Sequence, residues 1–349
     1  MVDPTYHNRR VTSTKLEIYK CLHCPVCAGL KADYLDIQVL GNIKVRISGA
    51  VGFLPCREQE VFTGDVMAEI IDGRKISQDV RNEIREKTLR LKDDRGVVPG
   101  LAVILVGDDP ASQIYVRGKK NACAEVGFLS REYRLPADTG ETQLLDVIDE
   151  LNRDQEIHGF LVQLPVPEHI RTDAIIEAID PRKDVDGFHP YNVGRLFSGN
   201  PYHRSCTPAG IMELLDRYEI EIKGKEAVVV GRSNIVGKPL VMMLLEKHAT
   251  VTVCHTRTEN LSEVTGRAEI LVAAAGNPGM ISGDMIRDGA VVIDVGINRL
   301  DTGKLSGDVV FADACEKASY ITPVPGGVGP MTIAMLLRNT LDAATVQGE

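Results

Sequence analysis

The sequence predicts an α/β fold in two domains, a first α/β unit followed by a doubly wound parallel sheet. Three observations predict it. Short apolar runs alternate with segments of helical period, the pattern of parallel strands joined by crossover helices. In the second half, "EAVVVG", "TVTVC", "EILVAAAG" and "AVVIDVG" recur at intervals of roughly twenty residues, right for successive βα units. The first of these runs ends in a glycine-rich turn that opens a helix. A chain of 349 residues is long enough for two ordinary domains.

The elements follow in order from Met67. After the Asp72-Gly73 turn, Ile76, Val80, Ile84 and Leu91 fall on one helical face. "GLAVILV" (Gly100 to Val106) reads as a buried strand, and Ser112 to Glu125 as a helix. "REYRL" is a strand, Glu141 to Asn152 a helix, Gly159 to Leu164 a strand and Glu168 to Ile179 a helix. Thr207-Pro208 has the look of an N-cap with proline at the first helical position, and a domain junction is expected there. The four runs of the second sheet come next. A last helix, Met331 to Ala343, follows "TPVPGGVGP" and is expected to return to the first domain.

Residues 1–66 read differently, with weak period and weak turn signals. Val45, Ile47, Val51, Phe53 and Leu54 suggest at most a short hairpin. "CLHCPVC" spaces Cys21, Cys24 and Cys27 by two residues around His23, which is part of a zinc or iron–sulfur pattern. No second CxxC follows, and Cys56 alone would have to supply a fourth ligand, so no metal is expected. Acidic residues interrupt the segment and arginine is not enriched, which argues against an organellar presequence. Residues 1–66 are therefore expected to be an extension without a folded role, with the true start at Met67. The expected organisation is 67–207 with 323–345 as one domain and 208–322 as the other.

Composition narrows the function classes. Hydrophobic residues make up 44% and charged residues 26%, values of a soluble globular protein. A net charge of -9 argues against a nucleic-acid partner, whose footprint is basic. No apolar run reaches the roughly 20 residues of a membrane helix, and no secretory signal opens the chain. A cytoplasmic location follows as an expectation. Cys123, Cys206, Cys254 and Cys315 have no framework spacing, so disulfides are not expected.

"AVVVGRSNIVGKP" is strand, turn and helix. Gly231 and Gly237 suit the outer roles of a Rossmann turn, in which a pyrophosphate rests on a helix N-terminus. Ser233 holds the middle position, so the run is either a dinucleotide loop or an ordinary βα turn with incidental glycines. It is not a Walker A loop, because five residues separate the glycines and Pro239 follows Lys238. Nor is it the loop of a short-chain dehydrogenase, since Tyr115 and Lys119 precede the glycines. For the cofactor, the second strand ends in His255, Thr256 and Arg257 rather than an acid. Nothing there repels a 2′-phosphate, which favours NADP over NAD. Arg232 and Arg257 either clamp that phosphate or are solvated surface cations.

Tyr115 and Lys119 lie four apart and share a helix face. They are a candidate for proton chemistry or simply a surface lysine beside a half-buried tyrosine. Five blocks in order decide between these readings: "YVRGKKNAC", "GFLVQLPVP", "PRKDVDGFHPYNVGRL", "VVGRSNIVGKP" and "YITPVPGGVGPMT". Together they closely resemble the methylenetetrahydrofolate dehydrogenase/cyclohydrolase family over Met67 to Ala344. "KDVDGF" and "PGGVGPMT" are its most specific parts.

The resemblance implies an enzyme that oxidises 5,10-methylenetetrahydrofolate with NADP and hydrolyses the methenyl product to 10-formyltetrahydrofolate. It implies an α/β catalytic domain, a Rossmann-type NADP domain and a homodimer. Lys119 is implied as the central catalytic residue, with Gln163 holding it and Tyr115 lying over the folate ring. Asp186 is implied to anchor the pterin edge. Pro325, Gly326 and Gly327 are implied to let backbone approach substrate. Gly231, Arg232, Ser233 and Ile297 are implied to line the NADP site, beside Gly237, Thr256 and Arg257 from the turn arguments above. Asp184 is expected to cap a helix and His189 to be structural. Asn121 departs from the pattern, standing where many members have a second basic residue. Two alternatives keep the family but change the activity: an inactive folate- or NADP-binding protein, and a dehydrogenase without efficient hydrolysis. A shikimate-type dehydrogenase would share the domain order but not "VQLP" or "PGGVGPMT".

Overall fold

The computed structural model describes residues 67–300 and 302–347, with the backbone of two strands before them. Those two, β1 (Asp36–Leu40) and β2 (Lys44–Ser48), form an antiparallel hairpin whose backbone register pairs Val39 with Val45 and Ile37 with Ile47. Cys21, Cys24, Cys27 and Cys56 lie outside the described residues, as do Val51, Phe53 and Leu54.

The main unit begins with β3 (Glu69–Ile70) and α1 (Gly73–Arg95). Asp72 caps α1 by accepting from the Lys75 N–H, and Gly96 closes it in the left-handed conformation. The first lobe continues with β4 (Gly100–Val106), α2 (Pro110–Val126), β5 (Leu129–Leu135), α3 (Glu141–Arg153), β6 (Gly159–Val162), α4 (Thr172–Ala178) and α5 (Pro190–Phe197). Its sheet is parallel, in the order β5-β4-β6. Every residue of β4 is buried, because helices cover both faces. Leu101, Val103 and Leu105 join the core of α1 and α2, while Ala102, Ile104 and Val106 pack with Leu144, Ile148 and Ile175 on the other side. The side-chain period of two in a strand sorts them.

The second lobe contains α6 (Cys206–Arg217), β7 (Glu226–Val230), α7 (Gly237–Glu246), β8 (Thr250–Cys254), α8 (Leu261–Thr265), β9 (Ile270–Ala273) and β10 (Val291–Asp294). It continues through the small hairpin β11 (Asn298–Arg299) and β12 (Leu305–Ser306), then α9 (Phe311–Cys315) and β13 (Tyr320–Ile321). The large sheet is parallel, in the order β3-β13-β10-β9-β7-β8. β3 adds to its edge through Glu69 opposite Tyr320 and Ile70 opposite Ile321. The final helix α10 (Val328–Gln347) packs on α1, α2 and α6 and reaches β4 and β6 of the first lobe. It returns to the first lobe as expected. Its residues Met331, Leu336, Leu337 and Leu341 share one continuous core with α1, α6 and β7.

Several expected boundaries move. The strand expected to reach Leu164 ends at Val162, before a cis Leu164–Pro165 peptide. The helix expected from Glu168 starts at Thr172. Ser205, not Thr207, sits at the N-cap of α6, which puts Pro208 in the third helical position, still within the first turn where its missing N–H is harmless. The last helix begins at Val328, and Pro330 is tolerated there for the same reason. α5 was not expected. His189 starts it by accepting the Tyr191 N–H on Nδ1, with Pro190 at the first helical position. Among the described residues no helix is long and apolar enough to cross a membrane.

Candidate active site

Lys119 is positioned by α2. Asp109 caps that helix with a 2.7 Å bond from the Ser112 N–H, Pro110 opens it, and Gly127 ends it in the left-handed conformation. Tyr115 and Lys119 are one turn apart. Tyr115 is 42% exposed, whereas Lys119 is only 8% exposed. A lysine buried to that degree needs polar partners. Its Nζ donates to Oε1 of Gln163 at 3.1 Å.

Gln163 sits just beyond β6. Its backbone N–H bonds Ile104 O at 2.8 Å, extending the ladder with β4 by one residue. Its side-chain Nε2 donates to Leu164 O at 2.7 Å, which turns Oε1 toward the lysine. The amide is thereby locked at both ends.

Asp186 lies in the electrostatic field of the same lysine. Burial pushes its carboxyl above the ordinary range, with the Lys119 charge opposing and Asp184 adding to the rise. The segment is held by its neighbours. Asp184 is buried and accepts the N–H groups of Phe188 and His189 and the Asn192 amide. Asp184 was expected to cap a helix, but the N-cap of α5 is His189, and Asp184 instead holds the loop that leads into it. Gly187 has φ of 75°, and a Cβ there would meet the backbone N of Ser205 at 2.6 Å. Asn339 of α10 donates to both Val185 O and Arg204 O, pinning the segments that carry Asp186 and Cys206.

Pro325, Gly326 and Gly327 form the link from β13 to α10, with a cis Val324–Pro325 bond and φ of 117° at Gly326. Gly73 at the start of α1 packs so closely on the Gly327 carbonyl that a Cβ would collide with it. The Arg74 N–H also bonds Gly326 O at 3.1 Å. The following turn of α10 lies on α2, where Ile333 Cδ1 is 3.4 Å from where a Cβ on Gly118, the neighbour of Lys119, would be. The glycine-proline link is therefore tied to the helix of Lys119.

On the second lobe, the β7–α7 turn has the steric form of a dinucleotide loop. A Cβ on Gly231 (φ 131°) would collide with Ala274 O, and one on Gly237 would collide with Gly231 O. Ser233 explains the middle position. Its Oγ accepts the N–H groups of Val236 and Gly237 at 3.1 and 3.3 Å, capping the turn into α7. Arg232 follows β7 and Arg257 follows β8. These strands are neighbours, with Val230 opposite Cys254 in register. Both arginines are exposed, and neither has an ion-pair partner among the described residues. Thr256 is exposed beside them. The glycine cradle, the helix N-terminus and two uncommitted cations fit a dinucleotide carrying a 2′-phosphate.

Ile297 is 46% exposed on the loop after β10, and its Cδ1 lies 3.5 Å from where a Cβ on Gly329 would be. It brings the second lobe against the start of α10. Sequence reasoning missed Asp294 and Asp308, both buried beneath these loops. Burial pushes the Asp294 carboxyl up to about 6 against three backbone N–H bonds that lower it, and the neighbouring Asp308 charge adds to the rise. The only sequence signal was a glycine near each, Gly296 and Gly307, where a Cβ would collide with the partner carboxylate.

The chain matches two family models. One is described as the catalytic domain of tetrahydrofolate dehydrogenase/cyclohydrolase, over residues 71–186, and the other as its NAD(P)-binding domain, over residues 205–348. Among curated proteins, the bifunctional protein FolD of Moorella thermoacetica is 60% identical over 277 residues, covering 79% of this chain and 99% of that protein. The FolD protein of Magnetococcus marinus is 58% identical over 278 residues, covering 80% and 98%. Among solved structures, the bifunctional FolD methylenetetrahydrofolate dehydrogenase/cyclohydrolase of Campylobacter jejuni has 50% identity and a TM-score of 0.78, covering 80% of this chain and 99% of its own. The Trypanosoma brucei enzyme, solved with NADP cofactor and an inhibitor, has 40% identity and the same TM-score, covering 80% and 98%.

Proposed function

The chain belongs to the tetrahydrofolate dehydrogenase/cyclohydrolase family, and from that premise we propose how its residues divide the work. It is an NADP-dependent methylenetetrahydrofolate dehydrogenase and a methenyltetrahydrofolate cyclohydrolase, an enzyme of one-carbon folate metabolism. The observation that carries the assignment of roles is the buried Lys119 bonded to a Gln163 amide that is itself locked.

Oxidation asks little acid or base of the protein. Two nitrogens flank the methylene carbon and share the positive charge that develops. NADP, when bound, supplies the acceptor of two electrons. The residues must supply alignment, which can contribute roughly 7–11 kcal/mol. Tyr115 covers the folate ring system, Asp186 holds the pterin edge, and Pro325 to Gly327 allow backbone to approach. Gly231, Ser233 and Gly237 shape the pyrophosphate turn, Arg232, Thr256 and Arg257 receive the 2′-phosphate, and Ile297 lies at the junction with α10.

Hydrolysis needs a base. Water attacks the methenyl carbon, the C–O bond forms as the C=N π pair returns to nitrogen, and a proton leaves the water; the hydroxyl then gives up its proton as the C=O forms and the C–N5 bond breaks, and N5 takes one proton. Lys119, acting as the free amine, is the group set to take the proton from the water, with Gln163 fixing its Nζ. The enzyme works in the cytoplasm as a homodimer, a reading supported by the family resemblance, and sedimentation of the purified chain checks the dimer.

The test is Lys119→Met in the full chain. The variant should fold, bind NADP and lose cyclohydrolase activity by at least about a hundredfold, the scale of a lost general base. Methenyl product is followed separately from reduced cofactor. Hydrolysis at the wild-type rate would remove Lys119 from its role. Lasting methenyl accumulation by the wild type would leave a dehydrogenase with a weak second step.

A further inference from the structure

The loops after β9 and β10 stand at the carboxyl ends of parallel strands, where a doubly wound sheet receives its dinucleotide. One buried carboxylate holds both. Asp308 comes from the segment after β12 and is 0% exposed. Its Oδ2 accepts the N–H groups of Ala275 and Gly276 at 2.7 and 2.9 Å. Its Oδ1 accepts the N–H of Asn277 and the side-chain amide of Asn298, both at 2.9 Å. Ala275 to Asn277 form the β9 loop, whose Ala274 carbonyl closes on Gly231. Asn298 directly follows Ile297. The Asp308 N–H donates in turn to Asp294 Oδ1 at 2.9 Å, and Asp294 also accepts from Gly296 and Val309.

Neither acid has an ion-pair partner among the described residues. Burying a carboxylate without a cation is costly, and here only aimed N–H donors offset it. Four donors from two loops on one carboxylate leave those loops a single relative spacing. We propose that Asp308 is a positioning residue for NADP, setting the distance between the β9 loop against the Gly231 turn and the β10 loop that carries Ile297. The proposal rests on the reading of the second lobe as the NADP site.

Asp308→Asn keeps the shape and spoils the acceptors. In either amide orientation an NH2 group faces at least one backbone N–H that it cannot accept. In the full chain, NADP affinity measured by calorimetry should fall by at least about tenfold, the size of one lost bond to a charged group. The KM for NADP should rise in step while kcat changes much less. Hydrolysis of methenyl substrate without NADP should stay near wild type, because Lys119, Gln163 and Asp186 belong to the first lobe. Asn298→Ala removes one arm and should weaken NADP by about threefold, at the neutral end of the hydrogen-bond range. Unchanged NADP affinity in folded Asp308→Asn overturns the proposal. So does a fall in hydrolysis proportional to the loss of NADP affinity, which would make Asp308 a general support of the fold. If Asp308→Asn does not fold, Asn298→Ala decides: weaker NADP with intact hydrolysis supports the proposal, and unchanged NADP overturns it. Wild-type chain that binds no NADP would instead overturn the reading of the lobe.

Discussion

Arg232 and Arg257 illustrate how a residue's role is set by what it lacks. Some arginines among the described residues are committed, as Arg217 and Arg338 are to Glu83 and Glu213. Arg232 and Arg257 have no such partner among the described residues, and each follows the end of one of two paired strands. A guanidinium free of carboxylates can give its whole fork to a phosphate. Arg232→Ala should therefore weaken NADP by roughly ten- to a hundredfold, the equivalent of about 1.5–3 kcal/mol for a charged hydrogen bond, and leave NAD nearly unchanged. Titration with both cofactors checks this, and equal losses would remove the 2′-phosphate from the argument. Lys119 and Gln163 make the complementary point. They are 44 residues apart, and only the pairing of β6 beside β4 sets Oε1 at 3.1 Å from Nζ.

At the scale of elements, the β7–α7 unit shows why a loose motif can still be a tight structure. Ser233 replaces the usual middle glycine, and its hydroxyl satisfies two N–H groups at the helix entrance. The outer glycines have no such latitude. Gly231 takes φ of 131°, a region that L side chains avoid, and its missing Cβ leaves room for the Ala274 carbonyl. Gly231→Ala should cost about 1–3 kcal/mol in backbone strain alone, with displacement of the β9 loop added. A thermal melt should show a midpoint lower by several degrees, and NADP binding should be lost with it. An unchanged melt and unchanged affinity would mean that the turn relaxes without consequence.

At the largest scale, the unit from Asp65 onward is organised around α10. This one helix touches α1, α2 and α6, and its Leu337 is fully buried in the core shared by both lobes. β3 completes the exchange by joining the large sheet before the chain enters the first lobe. Stability should then not divide between the lobes. Leu337→Ala should cost about 2–5 kcal/mol, and on warming both activities should fail at one lowered temperature. Loss of hydrolysis at a temperature where NADP binding persists would show lobes that unfold separately.

The sequence by itself determined the fold class, the order of strands and helices, the glycine turn after β7 and NADP as the cofactor, because each is written in short-range signals. Period two or 3.6, glycine and proline positions and the absence of an acid after "TVTVC" are all legible within some twenty residues. The same locality explains the errors. The ends of β6, α4 and α6 depend on which N–H finds which acceptor, and α5 is too short to show a period. Only the tertiary structure decided that Asp186 stands in the field of Lys119 and that Asp308 collects donors from a loop about thirty residues upstream. Those facts rest on hydrogen bonds and burial between distant segments. An acid between a glycine and two valines looks the same in sequence whether it faces water or four N–H groups. The difference lies in the strands that fold around it.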